Sequence, residues 1–553
     1  MIDNRIGRRE AMAVLACCAA VSLVAIAWSW QHDALLNYGD AEAHLHIARR
    51  VIDSHRPGLT QLGSVWLPFP HLLMIPFVAH FEWWRNGMAG LIPSCLVWLA
   101  SCWGVYRLGR QWLPPAPAAV AFAFFALNPN LLYLQTTAMT EPLFVCEMVW
   151  TVVWLVEWRS SLASGDIGRS RRLLWPIAVV LAAAVFTRYD GWIMAFLAWT
   201  SIGIVLRRRG QLRGAAFCAA SAIVIAAPVV WLVYNQVVFG DWLDFARGPY
   251  SAKAIELHTA TPGSGPPHPG WHNPWVSLIF YVKTTEMVAV AEQWGNLLLV
   301  LSLLGTAWGW LIGRRKGFLW ALLLWLPVPF YAYSVAYGSV PIFLPVWWPH
   351  SYYNTRYGLE MLPALALGVG GAASFVLTGM GEFKPRWTRA AAVLLLVLVG
   401  LNLGIMLRHR PLVYVEGVKN ASARRPYERV IAAALRTQLA AHPDAVVLMN
   451  TSVYPQIVAL SGISLRQTIN ESDREYYQAA LNAPAQHASF AMALAGDQIE
   501  QAIRAHPAGM VAIAHFSWPE QPDVTLYASD TSHVIGAAAV HDAVVASAKD
   551  KLP

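Results

Sequence analysis

Hydrophobic and polar positions come in long blocks along the first three quarters of the chain. Apolar runs occupy residues 11–30, 87–106, 116–134, 142–158, 173–187, 191–206, 214–234, 296–312, 318–338, 357–379 and 390–407. Each approaches the length at which an α-helix crosses a hydrocarbon core, so the pattern predicts about eleven spans. Residues 66–81, from Trp66-Leu67-Pro68-Phe69-Pro70 to Phe81, are apolar but broken by proline, and read as a helix lying in the outer interface. Before them, residues 41–52 form an amphipathic run in which Leu45, Ala48 and Ile52 line up with Ala41. From about residue 410 the pattern changes. Residues 424–441 read as a helix, Ala445–Met449 and Gly509–Ala514 as strands, and 473–482 and 489–505 as further helices. The expected fold class is an α-helical polytopic membrane protein. A transmembrane domain of residues 1–409 would be followed by a small soluble α/β domain of residues 410–553. The Pro/Gly-rich stretch Thr261–Gly270 between two spans reads as a loop.

Composition narrows the class. The 553 residues are 57% hydrophobic and 13% charged, with a mean hydropathy of +0.43, too apolar for a soluble globular protein. The net charge of +8 comes from short clusters between apolar runs, a topology signal and not a nucleic-acid surface. With the N-terminus inside, the inner connections hold Arg107 and Arg110; Arg159, Arg169, Arg171 and Arg172; Arg207, Arg208, Arg209 and Arg213; Arg314, Arg315 and Lys316; and Lys384, Arg386 and Arg389. Every one is basic, which predicts N-in and C-out. Counting 66–81 as a span would move the next five clusters outside. Arg5, Arg8 and Arg9 precede the first run without a clear cleavage site after it, so that run is expected to remain as a helix. All six cysteines sit in apolar segments, so neither a disulfide framework nor a cysteine metal site is indicated. No Walker or dinucleotide glycine motif occurs where it could work.

This topology places Asp40, Glu42, His44, His46, Glu141, Arg188, Asp190 and Arg356 on one outer face. Asp40 heads the amphipathic run, either as a helix cap or as a reactive carboxylate. If both are helical, Asp40 and Glu42 project about 200° apart. The histidines are either polar residues on an exposed helix face or metal ligands. Glu141 follows Thr140, a candidate cap, and precedes Pro142, so it too has a structural reading. Arg188 and Asp190 form a pair that either snorkels or binds. Arg356, amid aromatic residues at the mouth of a span, is either an interfacial anchor or a clamp for phosphate oxygens.

In this order, the residues resemble the GT-C glycosyltransferase superfamily, with closest likeness to the protein O-mannosyltransferases and the bacterial aminoarabinose and related lipid-phosphate-sugar transferases. The likeness rests on Asp40-Ala41-Glu42, His46-Ile47-Ala48-Arg49, Trp66-Leu67-Pro68-Phe69-Pro70-His71, Thr140-Glu141-Pro142-Leu143, and Arg356-Tyr357-Gly358 with Leu362-Pro363. It covers residues 11–409. One departure is that Ala41 separates two acids that are adjacent in many relatives. The resemblance implies a sugar carried on a polyprenyl phosphate and moved at the periplasmic face to a lipid, glycan or protein acceptor. It also implies a multi-pass protein of the bacterial inner membrane, in contact with membrane lipid and not with nucleic acid. Asp40 would then be the base, with Glu42 and Glu141 as further catalytic carboxylates. Arg356 would hold the leaving phosphate, helped by Arg188 or Lys253. Inversion at the anomeric carbon follows from a single displacement. No cofactor is required, and Glu141 is compatible with a divalent cation such as Mg or Mn. An O-antigen-type ligase or polymerase and a polytopic transporter are the rival readings. A transporter is expected to carry ionisable groups at mid-membrane, where these runs are nearly free of charge.

Overall fold

The computed structural model describes residues 6–259, 266–313, 318–379 and 385–530. Arg5, Arg314, Arg315, Lys316, Lys384, the first part of the 261–270 loop and residues 531–553 lie outside them. Two compact units emerge. The first comprises Met1–His32, Ser64–Pro70 and Pro93–Glu416; the second comprises Asp33–Gly63, His71–Ile92 and the chain from Gly417 onward. The helical unit thus runs on to Glu416, and the second unit takes two stretches from the N-terminal part of the chain.

In the first unit, apolar composition becomes membrane-length helix. Eight segments among the described residues are long and apolar enough to cross a membrane: Arg8–Gln31, Met88–Trp112, Tyr189–Arg208, Ala215–Phe239, Glu292–Leu311, Phe318–Tyr337, Thr355–Gly379 and Arg386–Ala441. The runs at 142–158 and 173–187 are the more charged helices Glu141–Ala163 and Ile167–Val185. The run at 116–134 is two helices, Pro115–Ala126 and Pro129–Leu134. Asn128 makes the break. Its Oδ1 accepts from the backbone N–H groups of Asn130 and Leu131 at 3.1 Å, capping the second helix ahead of Pro129. Its Nδ2 donates to Val288 O at 2.8 Å. The helices Gly295–Gly313 and Leu362–Gly379 meet backbone to backbone, since a Cβ on Gly305 would lie 1.8 Å from Gly368 O. Small residues permit that approach where lipid supplies no hydrophobic drive. Basic residues at the helix ends pair with carboxylates of other helices: Arg107 Nε with Glu157 Oε1 at 2.7 Å, and Arg110 Nε with Glu10 Oε1 at 3.0 Å.

The second unit carries a five-stranded sheet of β1 (Val447–Met449), β2 (Thr468–Ile469), β3 (Phe490–Leu494), β4 (Met510–Phe516) and β5 (Val524–Ser529), in the order β2-β1-β3-β5-β4. β1 pairs parallel with β2 and β3, while β5 runs antiparallel to β3 and β4. The expected helix over 489–505 is corrected to strand β3, a turn, and the helix Gln498–Ala505. Every residue of β3 is buried, so the strand carries an unbroken apolar run and lacks the alternation that marks a half-exposed strand. Gly496 takes a left-handed φ of +80°, and Asp497 Oδ1 accepts from Glu500 N at 2.7 Å to start the helix. The same unit holds the amphipathic helix Gly39–Arg50 and the short helix Phe81–Asn86. Residues 66–81 supply the Pro-containing helix Phe69–Val78.

Candidate active site

The acidic motif lies in the first turn of Gly39–Arg50, with Tyr38 in the capping position. Asp40 is therefore not the cap. It is half-buried, whereas Glu42 is buried. Arg424 Nη1 donates to Glu42 Oε2 and to Glu428 Oε2, the latter at 2.9 Å. Arg424 Nη2 also donates to Leu36 O at 3.2 Å. Burial, then the neighbouring charge of Glu428, push the Glu42 carboxyl up to about 8, against the pull of Arg424. Two carboxylates share one guanidinium here, so one of them retains its proton. On the same helix, His44 Nδ1 lies 2.9 Å from His71 Nε2. His46 is buried and held neutral by that burial and by Arg50. Arg49, from the Ile47-Ala48-Arg49 motif, pairs with Asp53 at 2.9 Å and donates to Val78 O at 2.6 Å. It anchors the helix.

The first unit gathers Glu141, Arg188 and Arg356 into one buried network, joined by Asp190, Glu360, Glu416 and Tyr331. Arg356 Nε donates to Glu141 Oε1 at 3.0 Å and its Nη1 to Glu416 Oε1 at 3.1 Å. Glu416 also accepts from the backbone N–H groups of Asn354 at 3.0 Å and Thr355 at 2.8 Å, and from Thr355 Oγ1. Arg188 reaches Glu141 at 3.6 Å, Asp190 at 3.5 Å and Glu360 at 3.2 Å. It also donates to Tyr331 Oη at 2.6 Å and to Thr140 Oγ1 at 3.2 Å. Tyr331 Oη in turn donates a hydrogen bond to Glu360 Oε1 at 2.7 Å. Both guanidinium carbons lie close to the Tyr357 ring, at 5.0 and 5.1 Å from its centroid. Four carboxylates thus face two arginines. Glu141 Oε2 is buried and has no hydrogen-bond partner among the described residues. Thr140 makes no capping bond, and its hydroxyl serves Arg188 instead. Lys253 is exposed on the short helix Ala252–Thr259.

No protein-family model matches the sequence, and no curated protein matches it. Solved structures do. The crystal structure of ArnT from Cupriavidus metallidurans bound to undecaprenyl phosphate aligns with a TM-score of 0.55 at 14% identity, over 94% of this chain and 99% of that one. Its apo state gives 0.53 at 14% identity, with 94% and 98% covered. The Archaeoglobus fulgidus oligosaccharyltransferase complex with Zn and sulfate is more distant, at 0.47 and 11% identity, over 93% of this chain and 73% of that one. This chain shares the fold of ArnT. Within it, the residues expected from the sequence fall into two groups: Glu141, Arg188 and Arg356 in the helical unit, and Asp40 and Glu42 in the second unit. Among the described residues, no three or more His, Cys, Asp or Glu side chains are grouped to hold a metal ion. The nearest carboxylates, Glu141, Asp190 and Glu360, are opposed by Arg188. Sequence reading missed Glu416, Arg424, Glu428 and Tyr331, and gave Glu360 no role. A hint was available for Glu416 alone: it is an acid seven residues past the expected end of the membrane domain at His409.

Proposed function

We propose that the chain is a membrane glycosyltransferase. It moves a sugar from a polyprenyl-phosphate donor to an acceptor hydroxyl on the extracytoplasmic face, with inversion at the anomeric carbon. The GT-C fold over 94% of the chain carries the reading, and the undecaprenyl phosphate bound to ArnT supports the donor class. The basic connections support an N-in, C-out orientation; the bacterial inner membrane as the site of action belongs to the same proposal.

The chemistry needs a base for the acceptor hydroxyl and a cation for the departing phosphate. Asp40, half-buried in the first turn of Gly39–Arg50, accepts that proton in this reading. Glu42, buried against Arg424, fixes that helix as a positioning residue. Charge grows on the phosphate as the sugar leaves, and a preorganised guanidinium stabilises it. Arg188 suits this role better than Arg356, because 15% of its side chain is exposed against 6%. Arg356 keeps Glu141 and Glu416 in place, and Lys253 is a second candidate cation. Glu141 Oε2 is one of three carboxylate oxygens of the network, with Asp190 Oδ2 and Glu360 Oε2, that have no hydrogen-bond partner among the described residues and could accept from a substrate hydroxyl. Because attack and departure occur in one displacement, the anomeric configuration inverts.

The test supplies extracted polyprenyl-phosphate-linked sugars to the purified full chain in lipid nanodiscs and follows release of polyprenyl phosphate by mass spectrometry. Release by the wild type, with an inverted product by NMR, supports the reading. Lipid-linked sugars that remain untouched with every acceptor pool tried would overturn it.

A further inference from the structure

We infer that the second unit carries an anion site for a phosphate group, formed by Arg85, Arg425 and Arg429. The three arginines line a cavity of about 170 Å3 together with Asp33, Glu428 and Gln456. Arg425 and Arg429 are one helical turn apart on Leu412–Ala441, so they present neighbouring forks. Arg85 stands in the last turn of Phe81–Asn86, where Gln456 Nε2 donates to its carbonyl oxygen at 2.5 Å. Its guanidinium pairs with Glu82.

A carboxylate from the chain itself already reaches this site. Arg425 Nη2 meets Asp33 Oδ1 at 2.9 Å, and Arg429 Nη2 donates to Asp33 Oδ2, so one oxyanion bridges two guanidiniums. Partial burial works to raise the Asp33 carboxyl, yet Arg425 and Arg429 hold it below its ordinary value. Asp33 is presented from a left-handed backbone, φ +50°, an unusual conformation for a residue with a side chain. The other acid at the cavity, Glu428, turns to Arg424 at 2.9 Å. Three guanidiniums thus line the cavity, two of them bridged by Asp33 and the third paired with Glu82, which lies outside the lining. A carboxylate satisfies two of the three. A phosphate group has the oxygens and the charge to engage all three, and guanidinium forks match its geometry. The site stands on this arrangement and does not depend on the sugar-transfer reading.

The test measures equilibrium binding of radiolabelled inorganic phosphate to the purified full chain in detergent at low ionic strength. Saturable binding is expected, weakened about tenfold or more by Arg85→Ala with Arg429→Ala and tightened by Asp33→Asn, which removes the internal competitor. Unfolding temperatures of the variants separate lost binding from lost structure, and Arg429→Lys keeps the charge if alanine destabilises. A second arm adds polyprenyl monophosphate as competitor. Displacement of inorganic phosphate assigns the site to a lipid carrier, and its absence assigns it to a free or acceptor-borne phosphate. No saturable binding by either wild type or Asp33→Asn, or binding indifferent to the arginine substitutions, would overturn the inference. Phosphate binding in a protein that transfers no sugar would leave this site standing and remove the transferase reading.

Discussion

Replacing Arg356 by methionine tests the buried network directly. The guanidinium is nearly inaccessible, and it bonds Glu141 at 3.0 Å and Glu416 at 3.1 Å. Its removal strands the two carboxylates unequally. Glu416 keeps three donors from Asn354 and Thr355. Glu141 keeps only Arg188, at 3.6 Å. Breaking a buried ion pair from one side costs about 3–5 kcal/mol, because the remaining charge loses its partner without regaining water. Loss of the contact with Tyr357, 5.1 Å from the guanidinium carbon, adds about 0.5–1 kcal/mol. Adding Glu141→Gln to Arg356→Met removes the stranded charge and should recover much of the loss, giving a coupling of about 1–3 kcal/mol. The assay is denaturant unfolding of the detergent-solubilised protein, followed by tryptophan fluorescence, for wild type, both single variants and the double. An Arg356→Met variant as stable as wild type, or a double variant no better than Arg356→Met, would refute the reasoning. The outcome bears on activity as well: a loss of transfer in Arg356→Met alone would report the network's collapse as much as any contact with phosphate.

Other predictions concern separate parts of the chain. The Glu42 carboxyl, raised from 4.5 to about 8 chiefly by burial, binds its proton more tightly in the folded state than in the unfolded chain. Its stabilising contribution is therefore complete below about pH 4.5 and is lost as pH rises through about 8. Glu42→Gln should remove this decline, so its unfolding temperature should fall less than that of wild type from about pH 6 to about pH 9; parallel curves would refute the shift. Gly305→Val should push apart the helices Gly295–Gly313 and Leu362–Gly379, where even one Cβ would sit 1.8 Å from Gly368 O. A cost above about 2 kcal/mol is expected, and a wild-type unfolding curve would contradict it. Asn128→Ala should cost about 1 kcal/mol as a lost helix cap, and more because Val288 O loses a donor; an unchanged midpoint would count against the cap.

The membrane half of the fold was legible because span length and composition are local properties, and the apolar runs became helical apart from breaks such as Leu127-Asn128. Local reading erred where two signals compete. Asn128-Pro129 interrupts an apolar run that hydropathy alone reads as one span, although Asn before Pro is a known start signal. The sequence Phe490-Ala491-Met492-Ala493-Leu494 has helix-forming residues, but burial on both faces makes it strand β3. The candidate charges were legible in their motifs and their pairings were not. Asp40, Glu141, Arg188 and Arg356 stand out as charges beside apolar runs. Their partners do not, because Glu416 lies 60 positions from Arg356 and Arg424 lies 382 from Glu42. Such contacts depend on how helices pack, and no residue spacing encodes them. Asp40 reads from the sequence as a helix cap or a reactive carboxylate; the helix starts earlier, at Gly39 after Tyr38, so Asp40 is not the capping residue.

The central claim is that Asp40 serves as the base of a sugar transfer from a lipid phosphate. The most direct measurement compares turnover of polyprenyl-phosphate-linked sugar by wild type and Asp40→Asn, matched for membrane insertion and unfolding temperature. The account predicts a loss of about 100-fold or more, the range for removing a positioned general base, with the variant folded as well as wild type. Equal turnover by Asp40→Asn would make Asp40 a structural residue and contradict the mechanism.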